Sequence, residues 1–385
     1  MRILVLGKYD PYASVGGIEK YTKVQLDELD TFDNEIIAIF SSRTKKGYEK
    51  RVSKNIRIIV LPKLFELLES PFTKPFYRFL MKEKPELVWM HLPNPFWELY
   101  MLLYLLIKGK HFKLVSTYHA DAPHYTIVSK IADFIRMFWL FPLLKKHDTI
   151  ISTSKEYAYH SFVLRHFLDK TIILPIKIRE DELRIKPKRP KIKLSKNDRT
   201  VLFIGRLHGY KGVEYLIEAF ANVLEKINNA KLVIVGGGPL KNKLIDLSKK
   251  LGIDNHVYFL GRINDAEKIW LLKNSDLLVL PSINRGEAFG ITMVEAMYFG
   301  KPVVSTRIEG SGVTFVNKNN ITGIVVEPKN VEQLSNAMIR LLCNDRLKNK
   351  LGRNARKRAL KFFIKKRKEK YFQSIVEMVL KEFFE

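Results

Sequence analysis

Cysteine is nearly absent from these 385 residues: Cys343 stands alone, so no internal disulfide can staple the fold. A reducing, cytosolic setting is the expectation. Cys343, in Leu341-Leu342-Cys343-Asn344, reads as a core thiol, since free cysteine is usually buried. Long apolar runs are missing too. The longest, Phe96 to Ile107, is broken by Glu98 and is too short to cross a bilayer. The chain opens on Ile3-Leu4-Val5-Leu6, a strand pattern, so no leader peptide is expected. Glutamine occurs three times among abundant Lys, Glu and Ile, which suggests a thermophile. No His/Cys/Asp cluster has metal-ligand spacing, and no repeat or low-complexity tract is visible.

Acid is scarce relative to base. There are 40 Asp and Glu against 67 Lys and Arg, a formal net charge of +27. Residues 184–199 carry eight cations against Asp198, and residues 346–370 carry thirteen against Glu369. Solvated helix faces are the plain reading. An anionic membrane surface is the functional one, at roughly 1 kcal/mol per basic residue near the headgroups. No nucleic-acid-binding motif accompanies the charge, so no specific nucleic acid is expected.

At this length two domains are expected, and 46% hydrophobic residues suffice for two buried sheets. Short apolar runs alternate with helical periodicity through both halves, which implies parallel sheets covered on both faces. The expected division is a Rossmann-like domain over 1–183, a basic Pro-containing linker over 184–199, a second Rossmann-like domain over 200–358, and a C-terminal helix over 359–385. Apolar residues there, Phe362 to Phe383, would let that helix return to the first domain.

The densest chemistry lies in Glu287-Ala-Phe-Gly-Ile-Thr-Met-Val-Glu295. It follows the apolar run Leu277–Leu280 and precedes a helical pattern. Glu287 therefore falls on a strand-to-helix turn, and Glu295 about two turns into the helix. Eight helical residues rise about 12 Å, so a straight helix would hold the two carboxylates far apart. A turn at Arg285-Gly286 lets Glu287 fold back over the helix N-terminus. Such a site suits an extended ligand, with an acid at each end and an anion on the helix dipole between them. A two-carboxylate hydrolase pair is disfavoured, because Glu295 lies too deep in the helix to flank the same bond.

This segment resembles the E-x7-E signature of group 1 glycosyltransferases, the retaining nucleotide-sugar enzymes of family 4. Three further pieces stand in the same order: Gly205-Arg206…Lys211-Gly212, Val235-Gly236-Gly237-Gly238-Pro239, and Gly300-Lys301-Pro302. The likeness is close over roughly 200–328. It is looser in the first half, through Val15-Gly16-Gly17-Ile18-Glu19 and Thr117-Tyr118-His119-Ala120-Asp121. The resemblance implies the α/β GT-B fold, two Rossmann-like domains facing across a cleft.

It also implies roles. Arg206 and Lys211 would neutralise the leaving nucleoside diphosphate, as two cations can without a metal. Glu287 would bind donor-sugar hydroxyls, and Glu295 the ribose. The backbone of Phe289, Gly290 and Ile291 would reach the phosphates or the sugar. Gly237 and Arg262 would line the base pocket, though the glycine run also suits a plain structural turn. Gly16 and Gly17 would admit a diphosphate or hydroxyl to a helix N-terminus, with Glu19 an exposed first-turn acid. His119 would contact the donor sugar. Asp121, His91 and Asn94 are acceptor-side candidates. One departure stands out: where the family has an Asn/Gly-Ile/Val-Asp turn after Ile172-Ile173-Leu174-Pro175, this chain reads Ile176-Lys177-Ile178.

The expected activity is retaining, metal-independent hexosyl transfer from a nucleotide-diphosphate donor to a glycan or lipid-linked acceptor. No cofactor is expected. A GDP-sugar, GDP-mannose above all, is favoured over a UDP-sugar, because the motifs look similar to mannosyl- and rhamnosyl-transferring members of polysaccharide biosynthesis. The protein would be cytoplasmic, or peripheral on the cytoplasmic face of the membrane. The rivals are a UDP-hexose transferase, a soluble sucrose- or trehalose-type synthase, and a basic nucleic-acid-binding protein on an inactive transferase scaffold.

Overall fold

The computed structural model describes residues 1–13, 16–68, 70–121, 127–366 and 369–381. Val15 of the Gly-Gly segment and Phe383 of the terminal apolar series lie outside them. The chain forms two compact units. Unit 1 comprises Met1–Ile178 and Lys365–Glu385, and unit 2 is Arg179–Ile364.

Unit 1 is built on eight strands: β1 (Arg2–Tyr9), β2 (Glu35–Ser41), β3 (Tyr48–Arg51), β4 (Ile56–Leu61), β5 (Leu87–Leu92), β6 (Lys113–Tyr118), β7 (Thr149–Ser152) and β8 (Thr171–Ile173). Their spatial order is β8-β7-β6-β5-β1-β2-β4-β3. All pairs are parallel except β3 on β4 at the edge. The central strands are continuous apolar runs because helices cover both faces: Ile3, Leu4, Val5, Val88 and Trp89 are fully buried. Order reverses beside β1, which begins the sheet's growth in both directions. Ligands in open α/β sheets bind beyond the carboxyl ends of the strands at such a point.

The returning C-terminal segment completes this unit. The Phe372 amide donates to Glu28 Oε1 at 2.6 Å, and the Phe372 ring meets Tyr21 and Trp89 edge-on at 5.2 and 6.1 Å. Burial raises the Glu28 carboxyl, while the Gln373 and Phe372 amides and Lys365 at 3.3 Å pull it back.

Unit 2 holds six parallel strands: β9 (Arg199–Ile204), β10 (Ala230–Val235), β11 (Val257–Gly261), β12 (Leu277–Leu280), β13 (Val303–Thr306) and β14 (Gly323–Val326). Their order, β11-β10-β9-β12-β13-β14, is that of a dinucleotide-binding sheet with its reversal between β9 and β12. Helix starts are capped by Asn264, Asn330 and Asn344, each accepting from the amide three residues on. The basic stretch 184–199 lies on unit 2: Lys188 N donates to Ala266 O at 3.0 Å, and Tyr258 Oη donates to Lys193 O at 2.9 Å.

Two sequence expectations need correction. The basic helix Asp345–Phe362 stops at Phe363, whose ring packs on Phe289 and Phe315. A separate helix, Gln373–Lys381, follows after a break, so 359–385 is not one helix. Cys343 is exposed, because Leu341 and Leu342 take the inward positions and Cys343 caps the helix end. After β7 the chain is helical over Lys155–His160 and then continues as two 3-10 turns.

Candidate active site

In unit 2 the loops after β9 and β12 are tied together at the reversal of strand order. Ile283 N donates to Tyr210 O at 2.8 Å, beside Lys211 on a short 3-10 turn. This brings the Lys211 ammonium onto Glu287, with Nζ donating to Oε2, and both groups are buried. Ser282 Oγ adds a second donor to the same oxygen at 3.1 Å. Burial alone would lower the Lys211 pKa, but the Glu287 carboxylate outweighs it and the net shift is upward. Lys211 is therefore a fixed cation. Arg206 is exposed, and its guanidinium donates to Tyr210 Oη at 3.3 Å, so a second cation lies next to the pair.

The helix after Glu287 spans Ile291–Tyr298, and Gly290 is its N-cap at φ +82°, a left-handed conformation that favours glycine. A Cβ there would also sit 2.5 Å from Met293 Cε. Ser311 Oγ fixes the Glu287 carbonyl, and Gly312 N the Ala288 carbonyl at 2.8 Å. The amides of Phe289, Gly290 and Ile291, at the helix terminus, have no protein acceptor among the described residues. The Phe289 side chain is core, edge-on to Phe363 at 5.7 Å; only its backbone is available.

Glu295 lies little more than one turn into the helix, closer to its start than expected, and is 2% exposed. Lys268 Nζ donates to Glu295 Oε1 at 3.1 Å and also meets Asp265 at 3.0 Å. Sequence reasoning missed Lys268; a lone lysine in a short helix carries no local signal. The turn Gly236–Gly238 packs against the loop after β9. A Cβ on Gly236, at φ +131°, would fall 1.8 Å from Gly205 O. Gly237 has open space, with Arg262 Nε the nearest side-chain atom at 4.0 Å, and Arg262 is exposed.

Unit 1 gathers a different set at its own reversal point. His91 is the penultimate residue of β5, and His119 follows β6. Their rings stack 5.2 Å apart, with His91 Nδ1 2.9 Å from His119 Nε2. His91 Nε2 lies 2.9 Å from Gln25 Oε1 and 3.5 Å from Thr22 Oγ1. The Thr22 hydroxyl proton goes to the Ile18 carbonyl at 2.9 Å, so Thr22 offers only a lone pair to His91. With Gln25 Oε1 facing it, His91 Nε2 carries the proton, and His91 Nδ1 accepts from His119 Nε2–H. His119 is left with a bare Nδ1, a hydrogen-bond acceptor. Burial pushes His119 down to about 3 and His91 well below its usual value, so the pair is neutral.

The other unit 1 candidates divide. Gly16 caps the helix Gly17–Leu29 in extended conformation. Glu19, expected exposed, is 8% exposed and folds back towards Gly16. Asp121 accepts from Tyr118 Oη at 3.0 Å and Ser161 Oγ at 2.6 Å, so it braces the loop after β6. Both side-chain polar atoms of Asn94 are buried without a hydrogen-bond partner, beside a backbone amide held by Glu98 at 2.8 Å. Among the described residues no cluster of His, Cys, Asp or Glu converges as a metal site.

Comparison with known proteins agrees with this geometry. The model of "Glycosyl transferases group 1" matches residues 184–358, and that of "Glycosyltransferase Family 4" matches residues 15–161. O-antigen chain mannosyltransferase C of Escherichia coli is 30% identical over 94% of either chain. D-rhamnosyltransferase WbpZ of Pseudomonas aeruginosa is 32% identical over 71% of this chain and 68% of its own. Sucrose-phosphate synthase of Thermosynechococcus elongatus superposes with a TM-score of 0.82 at 22% identity over the whole of both chains. HepE of Anabaena in complex with UDP gives 0.70 at 16%, again over both whole chains. Sheet order, the Glu287–Glu295 helix start and full-length kinship converge: the chain belongs to the family 4, group 1 glycosyltransferases of the GT-B fold, enzymes that transfer a sugar from a nucleotide-sugar.

Proposed function

We propose that this transferase moves mannose from GDP-mannose, with retention, to a hydroxyl of a glycan or lipid-linked acceptor. The observation that carries the reading is the buried Lys211–Glu287 pair beside the helix-terminal amides and exposed Arg206. Fixed positive charge next to amides suits a departing diphosphate. Glu287 keeps Lys211 protonated and presents its remaining lone pairs to sugar hydroxyls. Glu295, steadied by Lys268, accepts from the ribose. Gly237 and Arg262 flank the base. In unit 1, bare His119 Nδ1 accepts from a sugar hydroxyl, and Asn94 serves the acceptor side.

In the reaction the bond from sugar C1 to the phosphate oxygen breaks. The acceptor oxygen bonds C1 on the same face, and its proton passes to the leaving phosphate oxygen. Preorganised charge at the phosphates supplies most of the acceleration. Arg206 and Lys211 do this without a metal. The preference for mannose rests on the mannosyl- and rhamnosyltransferase relatives. A lipid-linked acceptor would make the protein a peripheral one at the cytoplasmic face; no described helix is long and apolar enough to cross a membrane.

The test is thermal shift against GDP, UDP and ADP and their sugars, followed by donor hydrolysis. Stabilisation by GDP-mannose, lost in Glu295→Ala, is expected. Selective response to UDP-hexoses would overturn the donor. No response to any nucleotide would overturn the transfer reading and favour a nucleic-acid-binding scaffold.

A further inference from the structure

Helix Ile127–Lys146 is turned inside out along its first half. Its inward side there is ionic. Arg136 donates to Glu98 of the neighbouring helix through Nε at 2.7 Å and Nη2 at 2.9 Å, and to Asp133 through Nη1 at 2.9 Å. All three are buried. Its outward side is apolar: Ile127, Ile131, Phe134 and Phe138 recur at helical spacing and are 77%, 55%, 68% and 71% exposed. On the neighbouring helix Pro95–Lys108, Leu106 and Ile107 are 65% and 72% exposed.

The forked Arg136–Glu98 contact fixes the helix's rotation, so the apolar row cannot turn into the core without breaking a buried ion pair. A contiguous apolar face of this kind marks an interaction surface. Its charge is one-sided. Lys108, Lys130, Lys145 and Lys146 are exposed, with Lys130 one helical turn from both Ile127 and Phe134. Between residues 95 and 146 no described carboxylate is exposed: Glu98 and Asp133 are buried in the clamp, and Asp121 is held by Tyr118 and Ser161.

We infer that this face docks onto an anionic lipid bilayer, with the aromatic row entering the headgroup–acyl boundary and the lysines meeting lipid phosphates. A second copy of a chain with net charge +27 would bring like charge onto like. The basic clusters that suggest a membrane from sequence are partly engaged within unit 2. Lys348 and Arg199 are paired with Asp276 and Asp345, and Arg358 caps the Phe315 and Val316 carbonyls. The inference goes beyond sugar transfer, because docking requires neither donor nor acceptor.

The test is sedimentation of the full chain with phosphatidylcholine vesicles, with and without phosphatidylglycerol. Binding that requires phosphatidylglycerol and weakens with salt is expected. The double variant Phe134→Ser, Phe138→Ser should lose about tenfold or more in vesicle affinity, from the apolar area it no longer buries. It should keep the wild-type circular dichroism and melting temperature, since both residues are exposed; Ile131→Ser provides a second, milder variant. Wild-type protein left in the supernatant would overturn the inference, as would a folded double variant that binds undiminished. So would dimerisation through this face in analytical ultracentrifugation without vesicle binding.

Discussion

The two units solve burial in opposite ways at equivalent points of their sheets. Unit 2 buries formal charge, with Lys211 on Glu287 and Lys268 on Glu295. Unit 1 buries a neutral chain, Gln25–His91–His119, in which every step is a hydrogen bond. A buried charge must be matched by charge, and the site in unit 2 meets that rule with its two Lys–Glu pairs. A neutral imidazole with one lone pair discriminates by hydrogen-bond direction, which suits a hydroxyl. Under the proposed function the phosphates lie beside the charged Lys211–Glu287 pair, and His119 takes a sugar hydroxyl.

The sharpest way to break this comparison is to remove one charge. Glu287→Ala leaves Lys211 buried and uncompensated. Turnover should fall about 10²–10³-fold and stability by about 3–5 kcal/mol, read by initial rates and denaturant melts. An activity loss no larger than that of a surface Glu→Ala variant would sink the charged-site account. Gly236→Ala comes next. Its Cβ would fall 1.8 Å from Gly205 O, at a φ that L-residues rarely adopt. A loss of about 1–3 kcal/mol is expected, and nucleotide-induced stabilisation should shrink with it.

Acid should separate the units. Burial holds His119 near 3 and His147 near 4, with His91 also lowered, and all three lie in unit 1. The unfolded chain takes up these protons near 6.5. Stability is therefore fully present above that pH and is lost as pH falls towards 4. Limited proteolysis across this window should cut unit 1 first; cleavage spread evenly over both units would contradict the assignment. The smallest effect is Gln25→Leu, which frees the His91 tautomer. Sugar-dependent rates should drop roughly three- to tenfold with nucleotide binding unchanged, and Gln25→Glu should restore the acceptor. Equal effects on nucleotide binding would show mere structural damage.

Much of unit 2 was legible because its chemistry is local. Glu287, Gly290 and Glu295 sit on one strand–turn–helix, and apolar runs marked every strand of its sheet. Lys211 meets Glu287 only through the tie between two loops, yet its glycine frame flagged it. Lys268 had no such frame. In unit 1, His91 read as a weak acceptor-side residue because periodicity cannot show what a ring nitrogen faces. Glu19 read as exposed because a first-turn acid usually is; its carboxylate instead folds back against Gly16. The inside-out helix was invisible for a related reason. Its pattern is amphipathic either way round, and only the Arg136–Glu98 contact decides which face is inward.

The route of the chain has a consequence for synthesis. Unit 2 is continuous, whereas unit 1 needs Lys365 onward, including Phe372 against Tyr21 and Trp89. Domains emerging from the ribosome ordinarily fold in order from the N-terminus. Here the first unit to leave the tunnel is the last to be finished. Its aromatic seat for Phe372 stays open until that residue has emerged, so a nascent chain stalled before it carries a complete unit 2 and an unfinished unit 1.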